Sequence, residues 1–437
     1  MISLEKVFYI IISTTLVTVF ILFTFVFSPN SVDNGRGKVK TIYFADNISK
    51  AHQKIIDSFN KKYEGQIRVE TINLPFEKFS TNERKELLAR YLRSKSNRID
   101  IFSVDIIWVP RFAKWSLPFD TMIDSAKIRN LLPYSLKSCI YDNKLYAIPL
   151  YIDIALMYYR DDFLRSLPDY QKITNELHES ITWERFFELQ KRLRIPANDF
   201  YIFQADDYEG LLCSFTEIMS NLNSSIVDKN RMLKLDEGNT GKAVKFLHSL
   251  IYEKNISPKS VTELRENNSY QYFVNNNSFA VRGWPNFLNK ENKYLSDSLR
   301  AFIKKAPLPH FSGSKPASVF GGWNLMVSKY SEKIPEVMKF LEYILSEEAQ
   351  QILYQEENFL PVIKSLYEDS LFITQNPELK FYENLFKTGV YRPFLEEYTN
   401  ISDILSLYIN KALKNELTVN EAVKLASEKI SDKIVID

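Results

Sequence analysis

Glycine is scarce in this chain, cysteine nearly absent and histidine rare, and each shortage closes off a kind of chemistry. The 11 glycines among 437 residues form neither G-x-G-x-x-G nor a Walker-type phosphate loop, so a nucleotide enzyme is not expected. Four scattered histidines (His52, His178, His248 and His310) and two cysteines give no zinc spacing, and no metal or cofactor is expected. Charge of one sign is also missing. With 56 basic and 54 acidic residues the net charge is +2, which gives no reason to expect a nucleic-acid partner. What is plentiful is aromatic carbon: 31 Phe, 25 Tyr and 5 Trp make up 14% of the chain. Most of those rings belong in cores, but such a chain can also line a cleft with flat apolar faces. At this length a single core is too small, and more than one domain is expected.

Val7 to Phe27 carries no charge and is rich in Ile, Val, Phe and Leu. About 20 such residues span a bilayer core, whereas the apolar region of a signal peptide is usually about 7–15. No alanine precedes Ala45, so there is no A-x-A cleavage site, and no cysteine follows the run to carry a lipid. An uncleaved membrane anchor is therefore expected. Flanking charge leaves its orientation open, with Lys6 before the span and Arg36, Lys38 and Lys40 after it.

The remainder reads as α/β. Lys40 to Ala45 is a strand and Ser49 to Tyr63 the following helix. Gln66 to Leu74 alternates as a second strand, and Ser80 with Glu83 has the pattern of a capping box. The basic residues of that next helix, Arg84, Lys85, Arg90, Arg93 and Lys95, read as a solvated face. Arg98 to Val104 is a third strand ending at Asp105. In parallel sheets ligands sit beyond the carboxyl ends of strands, which draws attention to Ala45–Asn47 and Asp105–Trp108. Further on, Thr182, Pro335 and Thr418 with Glu421 mark helix starts.

Several segments then occur in a recognisable order: DIFSVDIIWVPRFA (100–113), LYAIPLYIDIALMYYRDDFL (145–164), ITWERFFELQKRL (181–193), FQADDYEGLLCSF (203–215), AVRGWPNF (280–287), SVFGGWNLMVSKYS (318–331) and YRPFLEEYTNISDIL (391–405). Together they resemble the solute-binding proteins of sugar ABC importers, of the maltose- and trehalose-binding type. The resemblance covers about residue 39 to the C-terminus. It implies a two-lobed periplasmic-binding-protein fold with a ligand cleft at the hinge, here preceded by one transmembrane helix. The implied division is an anchor and linker (1–38), a first lobe (39–147 plus 309–358) and a second (148–308 plus 359–437). Hinge crossings would fall near Tyr146–Leu150, Lys305–Pro309 and Asn358–Pro361. The same resemblance puts the domain outside the cytoplasm, with ABC permease subunits as partners.

A sugar presents hydroxyls at its rim and apolar C–H faces, so its site needs carboxylates, amides or Arg at the edges and rings above and below. On that basis Asp46, Asp105, Asp153, Gln204 and Glu209 are candidate polar ligands; the resemblance implies a sugar-binding role for Asp105 and, through YRPF, adds Arg392 as a position that reaches the cleft. Candidate stacking rings are Trp108, Tyr151, Tyr208, Trp284 and Trp323, with Gly322 allowing close approach. Asp105 has a helix cap or turn as its ordinary role, and Arg392 a surface pair with Glu396 or Glu397. Trp183, Tyr158 and Tyr159 read as packing, and Cys139 and Cys213 as buried thiols. The expected function is a membrane-anchored, non-enzymatic receptor for a disaccharide or a glucosylglycerol-like glycoside. The alternatives are a tethered glycoside hydrolase using two of Asp105, Asp153 and Glu209, or a sugar-sensing ectodomain without transport.

Overall fold

The computed structural model describes residues 39–434 apart from 76–77, 79–80, 96, 194, 229–234, 236–237 and 290–294. The expected anchor at Val7–Phe27 and the capping Ser80 lie outside the described residues, among which no helix is long and apolar enough to cross a membrane.

Two sheets organise the chain. In the first, β1 (Lys40–Asp46) runs parallel to β2 (Ile67–Asn73) on one side and to β3 (Ile101–Asp105) on the other. The connections are helices Lys50–Lys62 and Thr81–Arg93. Ile55, Ile56 and Phe59 turn one face of the former into the core, as the apolar spacing requires. The sheet is completed by β4 (Ala147–Ile154) and by a long return strand, β9 (Ser318–Val327), with β10 (Gly389–Val390) beside its start. β9 lies antiparallel between β3 and β4. The second sheet has the order β8 (Ile303–Ala306), β5 (Leu156–Arg160), β7 (Ala280–Gly283), β6 (Tyr201–Ile202).

The first change of sheet comes later than the Tyr146–Leu150 crossing expected from sequence. All eight residues from Ala147 to Ile154 form one strand on β9, and the Ala155 N–H still donates to the Val319 carbonyl at 3.0 Å. Leu156 is the first residue paired in the second sheet, opposite Gly283. Pro149 does not break the strand, because it lies at a bulge in the β4–β9 register between Trp323 and Asn324, one of the places where proline costs a sheet little.

Helix starts follow their sequence signals where they are described. Thr182 Oγ1 accepts from Arg185 N–H at 3.3 Å. Thr418 and Glu421 form a reciprocal box, with Glu421 Oε2 accepting from Thr418 N–H at 2.9 Å. The solvated-face reading of the Thr81–Arg93 helix is corrected at two positions. Arg84 and Lys85 are buried, Arg84 against Asp46 at 3.0 Å and Lys85 against Asp403 at 3.1 Å. Those acidic partners lie 38 and 318 residues away, beyond the reach of a local charge pattern. Trp183, Tyr158 and Tyr159 are buried, and both cysteines are free and buried.

Candidate functional site

Register alone assembles one wall of a cavity. Trp323 pairs with Asp105 on one side and Tyr151 on the other, while Gly321 pairs with Asp153. Residues directly opposite each other share a face of a sheet, as do residues two apart. Asp105, Trp323, Tyr151 and Asp153 therefore converge near the carboxyl end of β3. Gly322 permits this crowding: its φ is +120°, and a Cβ there would lie 2.5 Å from the Tyr151 carbonyl oxygen, a position only glycine fills without strain.

The facing wall comes from the other sheet and its helices. Trp284 follows β7, its N–H donating to the Tyr270 hydroxyl and its carbonyl accepting from Tyr158, both at 2.8 Å. Glu209 opens helix Glu209–Asn221, where a carboxylate suits the positive end of the helix dipole. Between the walls is a cavity of about 380 Å³. A larger hollow of about 620 Å³ lies elsewhere, among Arg93, Arg111, Lys114 and Trp115. There Arg111 already pairs with Glu86 and Lys114 with Glu396, each at 2.7 Å.

Arg392 ties the two walls of the smaller cavity together. Its Nη2 donates to Asp105 Oδ1 at 2.9 Å and its Nη1 to Glu209 Oε1 at 2.8 Å. Tyr398 adds a hydroxyl donor to the same Glu209 oxygen at 2.9 Å. Asp105 Oδ1 also accepts from Ile107 N–H at 3.2 Å, so it is at once a cap, an ion-pair partner and a cavity residue. The surface pair with Glu396 or Glu397 does not form in this arrangement; Arg392 is buried. Burial pushes the Glu209 carboxyl up, opposed by the Arg392 guanidinium. Asp153 has no such cation. Burial first, and the Asp105 carboxylate second, push its carboxyl up to about 7, and no donor among the described residues reaches its buried Oδ1.

Most of the residues expected from sequence line this cavity: Asp105, Tyr151, Asp153, Tyr208, Glu209 and, with them, Trp284, Gly322, Trp323 and Arg392. Three do not. Asp46 is buried behind the wall, held by Arg84 and by the Ser103 hydroxyl. Trp108 is 2% exposed and meets Trp323 edge-on, with ring centroids 5.6 Å apart. Gln204 is fully buried, accepting from Arg282 Nη1 at 3.0 Å and donating to the Arg282 carbonyl at 2.9 Å. Each is a layer too deep, because a neighbouring cation or ring takes up its functional group.

Sequence reasoning missed the run Arg265–Asn268, Tyr270, Asn286 and Phe359, all of which line the cavity. The polar cluster RENNSY (265–270), opening helix Glu266–Asn275 with amides next to a ring, was the available signal. Phe359 stacks on Tyr151 with centroids 3.9 Å apart and rings 2° from parallel.

A cavity walled by rings, rimmed by carboxylates and bounded by two α/β lobes defines a ligand receptor of the two-lobed binding-protein class. Residues 44–351 match the bacterial extracellular solute-binding protein family, and the chain belongs to that family of receptors, which are not enzymes. It is 24% identical over 376 residues to a probable ABC transporter-binding protein of Deinococcus radiodurans, covering 85% of this chain and 87% of that one. It is 22% identical over 362 residues to the arabinooligosaccharide-binding protein of Bacillus subtilis, covering 80% and 78%. Maltose-bound MalE3 of T. maritima has a similar structure, with a TM-score of 0.79 at 25% identity over 90% of this chain and 99% of that one.

Proposed function

We propose that this protein is a membrane-anchored receptor that captures a neutral disaccharide or a glucosylglycerol-like glycoside outside the cytoplasm and delivers it to an ABC import permease. The observation that carries the reading is the cavity itself. Two indoles, Trp284 and Trp323, stand on walls contributed by different sheets. Indole faces suit the apolar C–H faces of a pyranose, and the carboxylates suit its hydroxyls. A volume of about 380 Å³ is at the small end of the roughly 300–1,000 Å³ usual for ligand pockets, which favours one or two sugar rings over a long chain.

The charge balance narrows the class further. Asp105, Asp153, Glu209 and Glu266 line the cavity against only Arg265 and Arg392. Both arginines already hold carboxylates, Arg265 with Asp206 at 2.7 Å and Arg392 with Asp105 and Glu209. An acidic sugar would enter against uncompensated negative charge. The arabinooligosaccharide-binding relative, and the similar structure that holds maltose, support a glycoside here. Closure would pivot where the chain passes between the sheets, at Ala155–Leu156 and at 307–317; at the third crossing expected from sequence, Asn358–Pro361, Leu360 still bridges Ile152 of β4. The lobes would otherwise be divided as the resemblance implies, except that β10 (Gly389–Val390) pairs with β9 in the first sheet. The apolar run Val7–Phe27 would hold the receptor at the membrane.

The test is a thermal-shift and calorimetric screen of the membrane-extracted full chain against maltose, trehalose, sucrose, glucosylglycerol and an acidic disaccharide. A ligand selective for the folded state at a hundred times its Kd adds about 2.7 kcal/mol. At least one neutral glycoside should raise the melting temperature, and the acidic one should not. A response to none of the neutral sugars, or to the acidic one alone, would overturn the reading.

A further inference from the structure

Behind each cavity indole lies a buried guanidinium. Arg84 is fully buried, its Cζ 4.5 Å from the centroid of the Trp323 ring. Its Nη2 donates to Asp46 Oδ1 at 3.0 Å. Arg282 is 1% exposed, its Cζ 4.9 Å from the centroid of the Trp284 ring. Its Nε and Nη2 donate to the two oxygens of Glu217 at 2.9 and 2.7 Å, and its Nη1 to Gln204. The two assemblies share no residue and come from different sheets. Both nevertheless follow one order: carboxylate, guanidinium, indole, cavity. Neither arginine lines the cavity.

Stability does not account for the repetition. A buried ion pair costs so much desolvation that apolar residues of the same volume often serve a fold as well or better. What a planar guanidinium offers, and an aliphatic side chain does not, is a flat cationic surface on which a ring settles in one orientation. A carboxylate behind it fixes the guanidinium in turn. The covered face of each indole is closed to any ligand, so the ring offers a single face.

We propose that Arg84 and Arg282 are positioning residues, each pinning one indole of the cavity against rotation so that a clamp of two single-faced rings is set before ligand arrives. Asp46 and Glu217, with Gln204, hold the guanidinium groups and act through them. Only the nature of the ligand rests on the glycoside reading; the fixing of the rings does not. A preset clamp spares the ligand the ordering of two large side chains.

The experiment uses the full chain labelled with 5-fluorotryptophan. Its five tryptophans give five fluorine resonances, assigned by single Trp→Phe replacements. In the unsubstituted protein, without ligand, Trp284 and Trp323 should each give one narrow line; a broad or doubled line for both overturns the proposal outright. Arg84→Lys keeps a cation for Asp46 but removes the flat group. It should broaden or split the Trp323 line and leave that of Trp284 unchanged, while Arg282→Lys should do the reverse. A general loosening of the fold would disturb both rings together. Asp46→Asn, which loosens the tether of Arg84 without removing it, makes the same comparison should Arg84→Lys not fold. Single narrow lines in the folded variants would overturn the proposal. Titration with maltose adds a binding readout: each lysine variant should lose about two- to tenfold in affinity, the scale of ordering one side chain. Unchanged maltose affinity in a folded variant counts against a preset clamp. If maltose binds no form of the protein, the choice of sugar fails, and the fluorine lines alone decide the positioning.

Discussion

Trp323 stands within a ten-residue strand, whereas Trp284 stands just past the end of a four-residue one. On the first wall the ring is fixed by register, with Asp105 and Tyr151 paired across from it and Trp108 against it edge-on. On the second wall no strand pairing holds the indole. Hydrogen bonds do that work: Tyr270 and Tyr158 take its backbone N–H and carbonyl. The cation behind it, Arg282, is gripped by both oxygens of Glu217, while Arg84 meets Asp46 through one short contact. Where the sheet supplies less, side-chain hydrogen bonds supply more. The second wall also reaches across to the first, since a Cβ on Gly321 would lie 2.9 Å from Trp284 Cζ3.

The largest effect should come from removing the grip on the second wall. Glu217→Ala leaves the Arg282 guanidinium buried without its carboxylate. The expected cost is about 3–5 kcal/mol of folding stability, the range for breaking a buried ion pair from one side. Asp46→Ala should cost less, nearer the bottom of that range, because one contact to Arg84 is lost rather than two. Denaturant midpoints of the two variants, read at a common slope, test the order. A reversed order would mean that the sheet, not the ion pair, carries the second wall.

How much of this was legible in the sequence depends on how far away the deciding partner lies. The α/β order of strand and helix follows from local periodicity, and Asp105 and Trp323 stand where strand ends and glycine neighbours suggest a cleft. Asp46 ends its strand in the same way as Asp105, and nothing local separates the two. The difference is made by Arg84, which takes Asp46 from a helix 38 residues on, while Asp105 meets Arg392 from 287 residues on and still borders the cavity. Gln204 likewise looks like a hydroxyl ligand until Arg282 is found beside it. The first change of sheet falls later than local pattern suggests for a related reason: strand β4 continues to Ile154 because its partner, β9, is long, and β9 lies more than 160 residues further along the chain.

A middling effect separates the two rings themselves. Trp284→Ala and Trp323→Ala should each weaken glycoside binding by about 1–3 kcal/mol, the scale of an aromatic anchor in an interface. Their effects on folding should differ. Trp323 loses its packing on Trp108 and on Arg84 in the middle of a sheet, and a half-buried indole there is worth about 2–3 kcal/mol, below the 3–5 of a fully buried one. Trp284, outside its strand, should cost about 1 kcal/mol less. Calorimetric affinity and denaturant midpoint on the same preparations check both axes. Equal stability losses would erase the distinction between a register-held and a hydrogen-bond-held wall.

The smallest step, per pH unit, concerns Asp153, a cavity carboxyl with no cation paired to it among the described residues. Asp153 belongs to the first wall by strand pairing, yet its titration is set by burial and by Asp105. Its neighbours include the Tyr151 and Tyr270 hydroxyls, themselves pushed up chiefly by burial with Asp153 among the lesser causes. In the folded chain it titrates at about 7, against 3.8 for an ordinary Asp, so between those values the native state holds a proton that the unfolded state has released. Stability is therefore greatest below pH 4 as far as this group is concerned, and falls as pH rises toward 7, by at most about 1.4 kcal/mol per pH unit. Glu209, pushed up by burial against the pull of Arg392, adds a slope of the same sign, so the share of Asp153 is the difference between its variant and the unsubstituted protein. Asp153→Asn should remove that share, and the variant should gain on the unsubstituted protein as pH rises from 5 to 7. Chemical denaturation at half-unit pH steps reads the difference directly. Parallel curves for the two proteins would show that Asp153 is ionised throughout and that its charge is met within the first wall.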